Sequence, residues 1–190
     1  MSELILASTS PARRALMTSL GLPFRAEAPG VDEHVATTVS VEDMVLQLAE
    51  RKARAVLARF PNALIIGSDQ LVSLDGHALG KPADAVAARA QLASLRGRTH
   101  EILTAVCVVS REFFALEVDV AKLSVWSLTD DELDGYVATN EWQGCAGGYR
   151  VEARGQALFE RIDGDRTSIQ GLPMLRLTRM LRGAGVRLFA

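Results

Sequence analysis

Asp69 stands where a hydrophobic core would ordinarily continue. The run NALIIGSDQLVSL, residues 62–74, has strand-like length and an apolar character that breaks only at Gly67, Ser68, Asp69 and Gln70 before it resumes. A carboxylate taken out of water there is unfavourable unless a cation or several donors meet it. Asp69 is therefore a candidate to bind a metal ion or to accept a proton, the bland alternative being a carboxylate that caps a β-bulge.

Three other stretches carry donors suited to an anion. LILASTSPARR, residues 4–14, reads as a buried strand, a Ser/Thr turn and a helix start, with Arg13 and Arg14 in the first helical turn. Backbone N–H groups and the positive end of the helix dipole favour an anion there, and the hydroxyls of Ser8, Thr9 and Ser10 add donors. Arginine opposes the dipole at that position, which makes sense if a phosphate lies between the two; otherwise Ser10 only caps and both arginines are solvated. Lys52 falls near the centre of the apolar stripe of Val41, Met44, Val45, Leu48, Ala55 and Val56, so it either snorkels outward or faces a cleft that holds an anion. Lys81 lies in GHALGKP, which is not a Walker A loop, because its glycines are too close and Pro82 stands where Ser or Thr would hold magnesium. It reads as a phosphate-binding lysine or as an exposed turn residue. Lys52, Lys81 and Lys122 are the only lysines among 21 basic residues, so each invites a reason.

Weaker signals complete the inventory. Asp32-Glu33 could hold a hard cation, although most such pairs are only solvated. His34, His77 and His100 lack the spacing of a metal site or triad and read as surface or turn residues. Cys107 and Cys145 stand far apart and read as buried thiols. GCAGGYRVE, residues 144–152, and GLP, residues 171–173, lack the dinucleotide fingerprint and read as a loop beside a cleft or as ordinary turns.

The elements that must position these residues alternate between strand-like and helix-like segments, which predicts an α/β fold with a mixed, twisted sheet flanked by helices. ELILA is a strand, followed by a helix from Pro11 with Ser10 as its N-cap. SVEDMVLQLAERKARAVLARF opens with Ser40 and Asp43 as a capping-box-like start to a long helix. Residues 63–79 form a hairpin turning at Asp75-Gly76, and residues 84–97 form a helix closed by Gly97. EILTAVCVVS and FALEVDVAKLSVWSL are strands, TDDELDGYVAT opens with a Thr129–Glu132 capping box, GYRVE and ALFERI are strand candidates, and a last helix runs through LPMLRLTRMLRG.

At 190 residues and 48% hydrophobic, the chain can bury a core unaided as a single domain, 1–190. A net charge of −2 leaves no electrostatic footprint for nucleic acid or an anionic membrane, so any anion must be bound locally. MSELILA lacks a basic n-region, and no run approaches the roughly 18 apolar residues of a membrane span; the chain reads as soluble and cytoplasmic.

Taken in order, LASTSPARR, the Asp32-Glu33 pair, LAERKA, GSDQ, GKP, CAGGYRVE and GLP resemble the Maf-like nucleoside triphosphate pyrophosphatases nearly end to end. SDQ, CAG and Glu152 resemble the branch that hydrolyses 7-methyl-GTP. The resemblance implies an inosine-triphosphatase-like α/β fold, two lobes around a deep cleft, and cleavage of a triphosphate to monophosphate and pyrophosphate. It implies a divalent cation, magnesium first, with manganese or cobalt as substitutes. Asp69 matches the catalytic carboxylate, which with Glu33 serves the metal; Ser8, Arg13, Lys52 and Lys81 match phosphate-handling positions, with Ser10 beside them. Gln70 and Glu152 match positions tied to base choice, as does Ala12, where the family usually has arginine. Alanine neither stacks on nor donates to a base, so the resemblance speaks more strongly for the reaction than for the nucleotide. The expected partner is a small nucleotide, without nucleic acid or membrane, and a homodimer is compatible with the chain. Two rivals remain: the same hydrolysis on UTP, dTTP or CTP, and a non-catalytic nucleotide-binding regulator linked to cell division.

Overall fold

The computed structural model describes residues 3–32 and 39–189, and the chain divides into two compact units. The first comprises Met1–Gln70, Thr104–Asp119 and Asp165–Ala190, and the second Leu71–Leu103 and Val120–Gly164.

Within the first unit the chain forms β1 (Leu4–Leu6), α1 (Pro11–Thr18), β2 (Arg25–Ala26), α2 (Val41–Arg59) and the leading part of β3 (Leu64–Leu74). Strands β1 and β2 run parallel, as do β1 and β3, with Leu4 opposite Leu64 and Leu6 opposite Ile66. Both helices begin as the sequence predicts: Ser10 Oγ accepts from Arg13 N with Pro11 at the first helical position, and Ser40 Oγ accepts from Asp43 N at 3.0 Å. Strand alternation sorts the side chains. Leu4, Leu6, Leu64 and Ile66 pack with Met17 of α1 on one face, while Ile5, Ile65 and Gly67 turn to the other. There α2 comes so close that a Cβ on Gly67 would lie 2.4 Å from the Ala49 carbonyl oxygen and 2.8 Å from Ala53 Cβ. Strand β2 was not legible in the sequence, since two residues carry no periodic pattern.

Within the second unit β3 continues into β4 (His77–Leu79), antiparallel with Val72 opposite Leu79. Asp75 and Gly76 both have positive φ, the primed turn that the right-handed twist of a hairpin favours. Then come α3 (Ala85–Leu95), β5 (Thr99–Val109), β6 (Phe114–Val125) and α4 (Asp130–Val137), the last opened by the expected Thr129–Glu132 capping box. Parts of β5 and β6 belong to each unit. Strand β7 (Phe159–Asp163) pairs antiparallel with β6. GYRVE is not a strand: its Gly148 ends a 3₁₀ turn at Ala146–Gly148 with a positive φ, outside the extended region, and the chain continues into further turns. The chain closes in the first unit with a short helix that the sequence did not reveal, α5 (Arg166–Ile169), and with α6 (Met174–Gly183), whose Leu177 and Leu181 join the Leu6–Ile66 core. No helix among the described residues is long and apolar enough to cross a membrane.

His100 departs from its expected place at the surface. It is 1% exposed in the second unit, with Nε2 2.5 Å from Tyr149 Oη and its ring packed edge-on to Tyr149. The apolar cluster with Tyr149 and Phe159 gave no signal in sequence because its members come from three separated segments. Burial holds its pKa at about 4, below the ordinary 6.5. As pH falls through 6.5 the unfolded chain takes up a proton that the folded chain refuses, so stability declines until about pH 4 and then levels. The full loss is about 3 kcal/mol. Urea titrations of wild type and His100→Gln between about pH 7.5 and 5 check this. The variant should lose most of the dependence, and parallel curves would exclude His100 as its source.

Candidate functional site

The interrupted strand of the first unit presents two polar clusters, one on each face of β3. Asp69, beside Gly67, faces α2; Ser68 and Gln70, one residue out of phase, face the side where α1 and α6 pack.

On the α2 face, Lys52 Nζ lies 2.5 Å from Asp69 Oδ1, and the two side chains are 6% and 11% exposed. This resolves both oddities of the sequence: the lysine in the apolar stripe of α2 and the carboxylate in the apolar run of β3 are one buried pair. Such a pair is strongly worsened by removing either partner, and replacing it outright with apolar side chains is often neutral, so its presence points toward chemistry more than toward stability. Gly67 makes the pair reachable by letting the backbone of α2 approach β3. Nearby, Arg51 Nη1 donates to the Asp32 carbonyl at 2.8 Å and ties residue 32 to α2. Glu33 and His34 lie outside the described residues.

On the other face, the carbonyls around the end of α5 are gathered by side chains. The Gly171 carbonyl accepts from Arg13 Nε at 2.8 Å and from Ser68 Oγ at 2.9 Å. The Ser168 carbonyl accepts from Thr104 Oγ1 and from Gln70 Nε2, both at 2.8 Å; Gln70 Nε2 also donates to the Ile169 carbonyl at 3.0 Å. The Ser168 carbonyl also accepts from Gly171 N at 2.9 Å, and the side chains add the further donors that carbonyls at and just past the end of a short helix need. Ser68, Thr104 and Ser168 are fully or almost fully buried.

The carboxyl end of β1 lies beside β3 at Ile66. That strand stops at Leu6, Ala7 N still donates to the Ile66 carbonyl at 2.7 Å, and the Ser8–Ser10 turn leads into α1. Ser8 Oγ accepts from Ser10 N at 3.2 Å and Ser10 Oγ from Arg13 N at 3.4 Å. Two of the N–H groups expected to receive an anion are thus already met by these serines. Arg13 turns inward and Arg14 is exposed, so the two arginines do not form the expected clamp. Ala12 sits half-buried in the first turn of α1.

The other candidates belong to the second unit. Lys81 is exposed, two residues beyond β4 and outside the hairpin strands. Glu152 lies 3.9 Å from Arg150, both side chains nearly half exposed, a pairing that contributes little to stability. Lys122 lies 3.8 Å from Glu101 at the surface. Cys107 is buried as expected, its thiol pushed up to about 12 by burial. Cys145 is only half-buried, its sulfur 3.9 Å from Arg150 Nη2, because the turns around it bury little.

Among the described residues no group of three or more His, Cys, Asp or Glu side chains is placed to hold a metal ion. Magnesium is commonly held by one or two carboxylates, the remaining positions being filled by water and substrate phosphates. Asp69 fits as one such carboxylate.

Ser68 and Thr104 were missed as site residues. Their signal was present in principle: Ser68 makes GSDQ polar on both faces of a strand, and Thr104 is the one hydroxyl inside the apolar run of β5 before Ser110.

The family model described as Maf-like protein matches residues 3–184. The 7-methyl-GTP pyrophosphatase of Albidiferax ferrireducens is 42% identical, covering 97% of this chain and 94% of its own. The dTTP/UTP pyrophosphatase of Symbiobacterium thermophilum is 41% identical, covering 100% and 97%, and the 7-methyl-GTP pyrophosphatase of Xanthomonas campestris is 42% identical over 99% of both. With a family match over nearly its whole length and relatives this similar from end to end, the chain belongs to the Maf-like protein family.

Proposed function

We propose that the chain is a nucleoside triphosphate pyrophosphatase that cleaves 7-methyl-GTP to 7-methyl-GMP and pyrophosphate. The observation that carries this reading is the buried Lys52–Asp69 pair, in which a carboxylate on a strand that should be apolar meets a lysine from the apolar stripe of α2. The names of the relatives support the reaction class.

In this mechanism Asp69 accepts a proton from water as the water oxygen bonds to the α-phosphorus. The bond between the α-phosphorus and the oxygen that bridges to the β-phosphorus breaks, and its electron pair leaves with that oxygen on pyrophosphate. Lys52 orients Asp69 through the 2.5 Å contact and keeps positive charge next to the reacting phosphate. Arg13 and Lys81 bind phosphate oxygens, and Ser8 and Ser10 shape the turn over which they lie. Catalysis of this kind rests on positioning and charge neutralisation. Magnesium, with manganese or cobalt as substitutes, would neutralise phosphate charge when bound, held by Asp69 and by Glu33. Glu152 and Ala12 bear on the base: methylation at N7 makes guanine cationic, and a carboxylate near it favours that base over plain guanine.

A second reading, the same cleavage of UTP or dTTP, is favoured by one contact. Arg150 stands 3.9 Å from Glu152 and offsets the charge that would select a cationic base.

Pyrophosphate release from 7-methyl-GTP, GTP, UTP, dTTP and CTP with magnesium decides between them. The expected kcat/KM for 7-methyl-GTP exceeds the others by at least about tenfold, equivalent to about 1.4 kcal/mol of transition-state binding. A preference for UTP or dTTP establishes the second reading, and no release from any nucleotide leaves a binding protein without hydrolysis.

A further inference from the structure

Gln70, at a position tied by resemblance to base choice, has its side-chain amide turned to the chain itself. Its Nε2 is engaged with the Thr104 hydroxyl at 2.9 Å and with the carbonyls of Ser168 and Ile169 at 2.8 and 3.0 Å. Thr104, fully buried, donates to that same Ser168 carbonyl, which also accepts from Gly171 N at 2.9 Å. Two residues along β3, Ser68 donates to the Gly171 carbonyl, the acceptor that also receives Arg13 Nε. Four side chains from β3, β5 and α1 therefore converge on carbonyls within one four-residue stretch, 168–171, and the only cationic one among them is Arg13.

We propose that Gln70, Thr104 and Ser68 form a single positioning device: they fix the 168–171 backbone so that the Gly171 carbonyl orients the Arg13 guanidinium toward the phosphates. A guanidinium is a planar fork whose direction is set once one N–H is committed, so holding Nε aims the rest of the group. Gln70, Thr104 and Ser68 are positioning residues here and act through Arg13. This inference rests on Arg13 being a phosphate ligand, as in the function proposed above, and it predicts that Gln70 changes the rate on every nucleotide alike.

The test is a double-mutant cycle. Thr104→Val and Gln70→Met are made in wild type and in Arg13→Ala. Each is assayed for kcat/KM on 7-methyl-GTP and UTP and, by calorimetry, for affinity toward inorganic tripolyphosphate. Each single variant should lose about tenfold in kcat/KM, by the same factor on both nucleotides, and Thr104→Ser should recover most of the loss. In the Arg13→Ala background neither substitution should cost anything further. Losses that multiply with Arg13→Ala, or a nucleotide preference changed more than about tenfold by Gln70→Met, overturn the inference; the latter returns Gln70 to reading the base. If Thr104→Val fails to fold, Gln70→Met and Ser68→Ala complete the same cycle. Should wild type release no pyrophosphate, the hydrolase reading falls and the cycle is decided on tripolyphosphate affinity. Should wild type hydrolyse but the cycle prove additive, only the positioning device falls. If wild type neither hydrolyses nor binds tripolyphosphate, both fall.

Discussion

Asp69→Asn is expected to reduce pyrophosphate release by at least about 10³-fold while the protein stays folded, within the range that a positioned general base supplies. The substitution keeps the shape of the side chain and an oxygen for Lys52 at the same place, but removes the charge and the capacity to take a proton. Because the pair is buried, the change also weakens the fold, by up to about 3 kcal/mol. Thermal melts followed beside the assay separate the two effects. A variant that melts above the assay temperature and still turns over at the wild-type rate would remove Asp69 from the mechanism, and Lys52 with it.

Gly67→Ala has the largest expected effect on the fold. An added Cβ would lie 2.4 Å from the Ala49 carbonyl oxygen and 2.8 Å from both Ala53 N and Ala53 Cβ. No real Cβ tolerates such contacts, so β3 and α2 must separate, at a cost of about 3 kcal/mol. Lys52 precedes Ala53 on α2, and a displacement of about 1 Å that pulls it from Asp69 can lower turnover by as much as 10²-fold. The substitution should therefore depress both the urea midpoint and kcat. Ala53→Gly added to it should not restore either, since the nearest obstacle is the backbone oxygen of Ala49. Wild-type stability in Gly67→Ala would mean that the close approach of α2 is not needed.

How far the sequence disclosed this arrangement depends on the distance over which each feature is encoded. The caps at Ser10, Ser40 and Thr129 and the turn at Asp75-Gly76 are decided within a few residues, and the structure has each of them. Lys52 and Asp69 were each conspicuous in an apolar context, but nothing local says that they meet; that follows from α2 lying on β3 at Gly67. The carbonyl stretch 168–171 was illegible for the same reason, being defined by partners up to 158 residues away along the chain. His100 was misplaced because a lone polar residue near a strand start looks like surface until Tyr149 and Phe159 close over it.

The triplet Ser68-Asp69-Gln70 works as teeth on both edges of one blade. Inserting or deleting a single residue just ahead of it would send the carboxylate to the carbonyl stretch and the hydroxyl and amide to Lys52, an exchange that no side-chain adjustment could undo. Length drift in this lineage should therefore be confined to loops. Attempts to graft the chemistry onto another scaffold must transplant β3 in phase, together with a helix on one side and a donor-starved corner on the other.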